Sequence, residues 1–192
     1  MKNITTKVVI VIAVLVVGIV GLYAYLSGRT RDNVKDAELS TVQIVLSRDL
    51  QKDYPASVKE VLKYYTEIEK CFYNEEYTEE ELRALGMKAR ELYDEELLAA
   101  NEVESYMERL KADIAVYKQN NRRMSSAAVA ASTSVFFFEE DGFEFARIHC
   151  GYTLTEKGVN NNVGVTYLMR RDENKRWKIY GWEHDSAPEL PQ

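Results

Sequence analysis

Cysteine and histidine are scarce in this sequence, which has two of each among 192 residues. Cys71 and Cys150 stand far apart and form no CxxC pair, and the two histidines are His149 and His184. Metal sites need clustered His, Cys, Asp or Glu side chains, so we predict no metal and no other cofactor. We expect both cysteines to be small buried residues, with a disulfide between them as the alternative.

Motifs for phosphate binding and nucleophilic catalysis are also missing. The chain contains no GxGxxG, GxxxxGK[ST] or GxSxG pattern, and so lacks the usual signatures of dinucleotide binding, nucleotide hydrolysis and serine hydrolysis. His149 precedes Cys150, but neighbouring residues of a strand point to opposite faces, so this pair cannot share a proton. We therefore predict no catalytic residue.

Positive charge is in the minority, because 25 Lys and Arg residues face 31 Asp and Glu residues. Two of the basic residues, Lys2 and Lys7, belong to the N-terminal tail, so the rest of the chain is more acidic still. An acidic surface repels phosphate backbones and anionic lipid. We predict no nucleic-acid partner.

One long apolar run is present, from Val8 to Leu26, and it carries no charged side chain. Crossing a bilayer takes about 20 mostly apolar residues. We predict a tail over 1–7 and an uncleaved transmembrane helix over 8–26, which makes the lipid bilayer a partner. A cleaved signal peptide is the alternative, although the exit from the run lacks an Ala-x-Ala site.

The membrane orientation rests on a weaker pattern. Basic residues nearly balance on the two sides of the run, so the positive-inside rule does not decide. A short tail before a long exported domain is the common single-pass layout. We therefore expect a cell-membrane protein with its C-terminal domain on the extracytoplasmic side. Residues 27–54 are predicted to be a juxtamembrane linker with a short amphipathic helix near Thr41–Leu50.

Three capping boxes predict three helices within a domain over 55–183. In such a box, an N-cap side chain and a glutamate three residues later satisfy each other's free amides. The boxes begin at Ser57, Thr78 and Asn101. Apolar side chains then recur at helical spacing, and the second helix is predicted to continue to Leu97. On that helix, Asp94-Glu95-Glu96 would form a solvated acidic face.

Strand signals replace the helical pattern after Asn121. Predicted strands over 127–139 and 143–154 flank Asp141-Gly142, a hairpin sequence. A loop over 157–162 leads to a second hairpin, 163–171 with 176–182, and the tail 184–192 is predicted to be disordered. The fold class is therefore α+β, with three N-terminal helices packed on one face of a curved antiparallel sheet. The inward strand residues are predicted to be Ala146, Ile148, Cys150, Tyr152, Leu154, Val165, Tyr167, Met169, Trp177 and Ile179.

The closing hairpin, with its strand Arg176-Trp177-Lys178-Ile179, resembles that of the nuclear transport factor two-like superfamily. By pattern, the resemblance extends over 55–182, and it implies a cone-shaped α+β fold. The cone of that superfamily serves as an enzyme pocket, a ligand pocket or a filled core used in assembly. An anchor followed by one such domain also resembles the inner-membrane scaffold subunit of type IV secretion systems and many membrane-anchored bacterial proteins.

Three tyrosines, Tyr65, Tyr152 and Tyr167, are predicted to face the cone as lining of a pocket. The inward strand positions offer no carboxylate or histidine as a proton acceptor, which argues against an isomerase or dehydratase. We therefore expect a non-enzymatic domain for protein–protein interaction or assembly, whose partner is either a second copy of the chain (a homo-oligomer) or another protein. A module that binds a small apolar ligand is the alternative. The basic residues over 170–178 are expected to protect an exposed sheet edge, with a docking patch for an acidic partner as their alternative role.

Overall fold

The structure is a computed structural model that describes residues 39–185. The predicted tail 1–7, the predicted transmembrane helix 8–26, the linker up to residue 38 and the C-terminal residues 186–192 lie outside the described part. No helix within residues 39–185 is both long and apolar enough to cross a bilayer.

Five α-helices precede the first strand in the described part of the chain. They are α1 (Thr41–Ser47), α2 (Val58–Asn74), α3 (Glu79–Arg90), α4 (Glu95–Ala99) and α5 (Val103–Gln119). The capping box predicted for α3 is confirmed, because Thr78 and Glu81 form it completely. The box predicted for α2 is only half present: Ser57 accepts from the Glu60 amide, but the Glu60 side chain accepts from the Ala56 amide and not from that of Ser57. The helix expected near 41–50 is confirmed as α1.

The second predicted helix is shorter than expected, since it ends at Arg90 and not at Leu97. The chain from Leu92 to Asp94 instead runs beside the last strand. There, the Ile179 amide donates to the Leu92 carbonyl and the Asp94 amide donates to the Ile179 carbonyl, both at 2.8 Å. A helical stripe could not reveal this edge contact, because the contact depends on a residue 87 positions away in sequence.

The third predicted capping box is wrong. Glu102 is the N-cap of α5 and makes no side-chain cap, while the Asn101 amide group donates to the Leu97 carbonyl at 2.9 Å. Asn101 is thus held by the preceding helix α4. The three helices predicted after residue 55 become four in the described residues, because α4 is separate from α3.

Within residues 39–185, the sheet is antiparallel and has five strands, β1 (Arg122–Val129), β2 (Phe136–Glu140), β3 (Phe143–Glu156), β4 (Val159–Arg171) and β5 (Trp177–His184). The order is β1-β3-β4-β5, and β2 pairs with the same edge of β3 as β1. Asp141 and Gly142 both have positive φ, at 50° and 81°. The predicted hairpin turn at these residues is therefore confirmed.

Several predicted strand boundaries are wrong: β1 begins at Arg122 and not at residue 127, and His184, predicted to lie in the disordered tail, is the last residue of β5. The single strand expected over 127–139 is split by a 3-10 turn at Ser132–Ser134, so that β1 and β2 each pair with one end of β3. The loop expected over 157–162 is a two-residue turn at Lys157 and Gly158, both with positive φ, and residues 159–162 already pair with β3. The sequence predicted a loop there because residues 160–162 are three polar asparagines.

The core lies between the helices and one face of the sheet. Residues Val61, Leu62 and Ile68 of α2 pack with alternating residues of β3 and β4, among them Ile148 and Met169. The predicted inward strand residues are buried, apart from Leu154, which is partly buried against the core. The fold is thus α+β with an antiparallel sheet, as predicted.

Candidate functional site

A cavity of about 540 Å³ lies among α2, α5 and the core-facing side of the sheet. All three tyrosines predicted to line a pocket, Tyr65, Tyr152 and Tyr167, line it. We call it the tyrosine cavity, because tyrosine is its commonest lining residue. Its other aromatic walls are Phe72, Tyr73, Tyr93, Tyr106, Tyr117 and Trp182.

Helical spacing explains why α2 and α5 supply most of the polar lining. Residues three, four, seven and eight apart lie on one helix face, and α2 contributes Tyr65, Glu69, Phe72 and Tyr73 in this way. Helix α5 contributes Tyr106, Arg109, Leu110, Asp113 and Tyr117 with the same periodicity. Two polar and aromatic stripes therefore converge on the sheet.

Glu69 is the ionisable group at the centre of the hydrogen-bonded network. The Tyr152 hydroxyl donates to Glu69 Oε2 at 2.8 Å, and the Tyr152 and Tyr167 hydroxyls are 2.7 Å apart. Since each phenol has one proton, Tyr152 accepts from Tyr167 while it donates to Glu69. Burial raises the pKa of the Glu69 carboxyl to about 8, against the lowering effect of the Tyr152 hydrogen bond.

The expectation that the interior lacks a proton acceptor is wrong, because Glu69 reaches the cavity from α2. That expectation was based on the inward positions of the strands and did not include the helix residues that line the cavity. A usable signal was present: Glu69 follows Tyr65 by four residues, so a helix that points Tyr65 inward also points Glu69 inward. Most other inward residues of α2 are apolar, so this face of the helix was predicted to belong to the core.

A second carboxyl group that lines the cavity belongs to Asp113 of α5. The Tyr73 hydroxyl donates to Asp113 Oδ2 at 2.5 Å, and the Tyr73 ring is stacked on Tyr117 with centroids 4.1 Å apart. Burial and the Asp113 hydrogen bond both raise the pKa of Tyr73 well above its ordinary value. Tyr73 is therefore a neutral hydrogen-bond donor.

The two arginines that line the cavity already have partners. Arg122 donates from Nε and a terminal nitrogen to Glu156 Oε2, at 2.9 and 2.7 Å, and its guanidinium lies 5.2 Å from the Tyr117 ring centroid. Arg109 donates to Asn101 Oδ1 at 2.5 Å. These contacts hold both guanidinium groups at the cavity wall.

The cysteines and His149 do not line the cavity. Cys71 and Cys150 are buried free thiols, and burial raises the pKa of each to about 11. His149 is exposed, and its Nδ1 lies 3.4 Å from Asp185 Oδ2. His184, in contrast, lines the cavity. Within residues 39–185, no group of three or more His, Cys, Asp or Glu side chains is arranged to hold a metal ion.

A separate ionic cluster joins α4 to the sheet. Arg170, on β4, is buried and donates to both oxygens of buried Asp94, at 2.9 and 2.5 Å, and to Glu96 Oε1 at 2.6 Å. The Phe143 and Tyr180 rings each lie 4.9 Å from its guanidinium. The aromatic rings and the carboxylates enclose this charge almost completely.

This cluster corrects two predictions. The solvated acidic face expected for Asp94-Glu95-Glu96 is wrong for Asp94, which is buried and caps α4 by accepting from the Glu96 amide. The basic residues expected to protect an exposed edge are also engaged internally, since Arg170 pairs with Asp94 and Lys178 donates to the Glu91 carbonyl at 2.6 Å. The residues concerned lie far apart in sequence, and only the folded chain brings them together.

The fold and the cavity define an α+β domain with a tyrosine-rich pocket that is partly open to solvent and is lined by two carboxyl groups and two arginines. The sequence matches the family described as Domain of unknown function (DUF6715) over residues 1–182. The chain therefore belongs to this family, and the match includes both the apolar N-terminal run and the α+β domain. No curated protein matches the sequence.

Proposed function

We propose that the α+β domain binds a small organic ligand in the tyrosine cavity. The observation that supports this function is a cavity of about 540 Å³, which falls within the size range of small-molecule sites, at a place where Tyr65, Tyr152 and Tyr167 converge. Apolar ring faces with a few fixed polar groups are the usual lining of such sites. A filled interior would have favoured assembly alone.

Binding without covalent catalysis is the form that we propose. Cys71 and Cys150 remain thiols because burial raises the pKa of each to about 11, and a thiol is a poor nucleophile. Glu69 offers one proton-transfer group, but nucleophilic catalysis needs a nucleophile beside its base. The described cavity places no such pair together.

We further propose that the domain is displayed at a membrane. The run from Val8 to Leu26 supports an uncleaved anchor in the cell membrane. An extracytoplasmic position of the α+β domain is part of the same proposal. The proposed relationship to the nuclear transport factor two-like superfamily rests on the order of helices before an antiparallel sheet and on the Trp177 hairpin. A ligand-binding cone on a tether would sample small molecules outside the cytoplasm.

Ligand binding can be tested on the full-length chain by saturation-transfer NMR with indole, 4-fluorophenol and benzyl alcohol. We expect at least one of these neutral aromatic compounds to bind. Val163→Trp should abolish the signal, because Val163 lines the cavity and is only partly buried, so a large ring can fill the space with little strain.

The matched control is Val159→Trp on the same strand. Val159 is 61% exposed and does not line the cavity, so this variant should bind as the parent chain does. The proposal fails if neither the three neutral compounds nor choline binds, or if Val163→Trp leaves binding unchanged.

Self-association is a second candidate function, and exposed aromatic residues on β2 and β3 favour it. Phe136 and Phe143 are 61% and 48% exposed, and β2 pairs only with β3 among the described strands. An edge strand with an apolar surface is suited to pair with another chain. We propose a homodimer formed at this edge as the alternative role of the domain.

The edge can be tested by sedimentation velocity of the full-length chain. We expect a dimer that Phe136→Lys converts to a monomer, because a charge at the edge opposes pairing. Val159→Lys is the control, since Val159 is equally exposed on another strand. A parent chain that is monomeric at all concentrations, or a Phe136→Lys dimer, would refute this role.

A further inference from the structure

The walls of the tyrosine cavity are suited to positive charge. Tyr65, Tyr93, Tyr106, Tyr167 and Trp182 form a continuous ring cluster with neighbouring centroids 5.9 to 6.2 Å apart. The face of an aromatic ring carries negative electrostatic potential and attracts cations, and quaternary ammonium groups are recognised by such cages. The stacked rings of the Tyr73–Tyr117 pair extend the aromatic lining on the α5 side.

Two carboxyl groups line the same space. Within residues 39–185, the Glu69 carboxyl has one hydrogen bond, from Tyr152 to Oε2, and its Oε1 is left for a ligand. Asp113 accepts from Tyr73 through Oδ2. Carboxyl oxygens beside aromatic faces provide both the counter-charge and the cage that a desolvated cation requires.

The basic groups of the lining do not favour an anionic ligand instead. Arg122 is paired with Glu156, and Arg109 is bonded to Asn101. Above its pKa of about 8, the ionised Glu69 carboxylate would also repel an anion inside the cavity.

We propose that the ligand of the tyrosine cavity is a small organic ammonium ion, caged by the tyrosine rings and paired with the Glu69 carboxylate. This inference rests on the proposed ligand-binding function and specifies the chemical class of the ligand. The cation enters as its ammonium form and forms no covalent bond with the protein, while a protonated Glu69 releases its proton to the solvent.

Binding of a cation to Glu69 is coupled to proton release. The pKa of Glu69 is raised to about 8 by burial, so below pH 8 most of the free protein carries a neutral carboxyl that must lose its proton. The apparent affinity should therefore rise by about tenfold per pH unit up to pH 8 and then level off.

The other titratable and charged groups around Glu69 come from every packed element. Burial is the main cause of a raised pKa in every tyrosine around Glu69, so these tyrosines stay neutral between pH 6 and pH 9. They are Tyr65 and Tyr73 of α2, Tyr93 before α4, Tyr106 and Tyr117 of α5, and Tyr152 and Tyr167 of the sheet. Asp113, Arg109, Arg122 and His184 complete the set.

The test compares choline with 3,3-dimethyl-1-butanol, a neutral compound of nearly the same shape, on the full-length chain by isothermal titration calorimetry at pH 6, 7 and 8. We expect choline to bind at least about tenfold more tightly than the alcohol at pH 8. Its affinity should fall by about tenfold per unit toward pH 6.

Glu69→Gln should remove both the preference for choline and the pH dependence, while circular dichroism shows an unchanged fold. Glu67→Gln is the matched control, because Glu67 lies on the same helix and is exposed; it should bind as the parent chain does.

Three outcomes would overturn the proposal: equal or tighter binding of the alcohol, an affinity for choline that does not rise with pH, or no binding of choline. The first leaves the ligand-binding function intact. In the third, the neutral aromatic panel with Val163→Trp decides that function separately.

Discussion

Replacing Arg170 by alanine is expected to lower the free energy of unfolding by about 3 to 5 kcal/mol, because it leaves a buried carboxylate without its partner. The Arg170 and Asp94 side chains are only 6% and 4% exposed. Asp94 could not recover its lost hydrogen bonds from water without opening the contact between α4 and the sheet. Urea denaturation followed by circular dichroism measures the difference.

The neighbouring Arg171→Ala is the matched control. Arg171 also forms an ion pair, with Glu144 at 2.8 Å, but the two side chains are 34% and 42% exposed. Ion pairs of this kind contribute about 0 to 1 kcal/mol. A loss in Arg170→Ala no larger than that in Arg171→Ala would contradict the structural role assigned to the buried cluster.

Glu69 is expected to make the protein less stable as the pH rises. Its pKa is about 8 in the folded chain and about 4.3 in an unfolded one. Between these values the folded state holds a proton that the unfolded state has lost, so stability falls with rising pH by about 1.4 kcal/mol per unit. The stability contributed by the protonated Glu69 is fully present below about pH 4.3, and it is lost as the pH rises through about 8.

The Glu69→Gln variant isolates this effect, because glutamine has nearly the same shape and does not titrate. Its free energy of unfolding should exceed that of the parent chain by an amount that grows between pH 5 and pH 8, to about 4 kcal/mol at most. Glu67→Gln on the exposed side of α2 should show no such growth. A difference between Glu69→Gln and the parent that is constant with pH would place Glu69 in water, outside a desolvated cavity.

Local sequence signals predicted the elements that rest on short-range chemistry. Ser57 and Thr78 begin helices because their side chains bond to amides three residues later. Asp141-Gly142 closes a hairpin because both residues accept positive φ. Alternation of polar and apolar residues along β3 also predicted which residues would be buried there.

Elements that depend on distant partners were predicted poorly. Leu92 to Asp94 leave the helical pattern because their backbone bonds to Ile179. Residues 160–162 pair with β3 despite being asparagine, because the turn at Lys157-Gly158 carries the hairpin through them. Ile179 lies far outside any local window around Leu92, whereas residues 160–162 pair with residues 153–155 close by in sequence, so there the polar asparagines and not distance explain the error.

The candidate site divides in the same way. Tyr65, Tyr152 and Tyr167 were predicted to share a pocket from helical and strand periodicity, and they line the same cavity. Glu69 was overlooked, although its spacing from Tyr65 was visible. Its raised pKa was not accessible to the sequence at all, because that shift comes mainly from burial in the folded chain.

The sequence alone determined the α+β class, the acidic balance and the apolar faces of α2, α3, β3 and β4, because these follow from residue type and periodicity over a few turns. Only the tertiary structure decided that the interior contains an open cavity, that Glu69 is desolvated within it and that Arg170 is buried with Asp94. Each of these depends on which side chains from distant segments exclude water from a common space, and burial of that kind is a property of the whole packed domain.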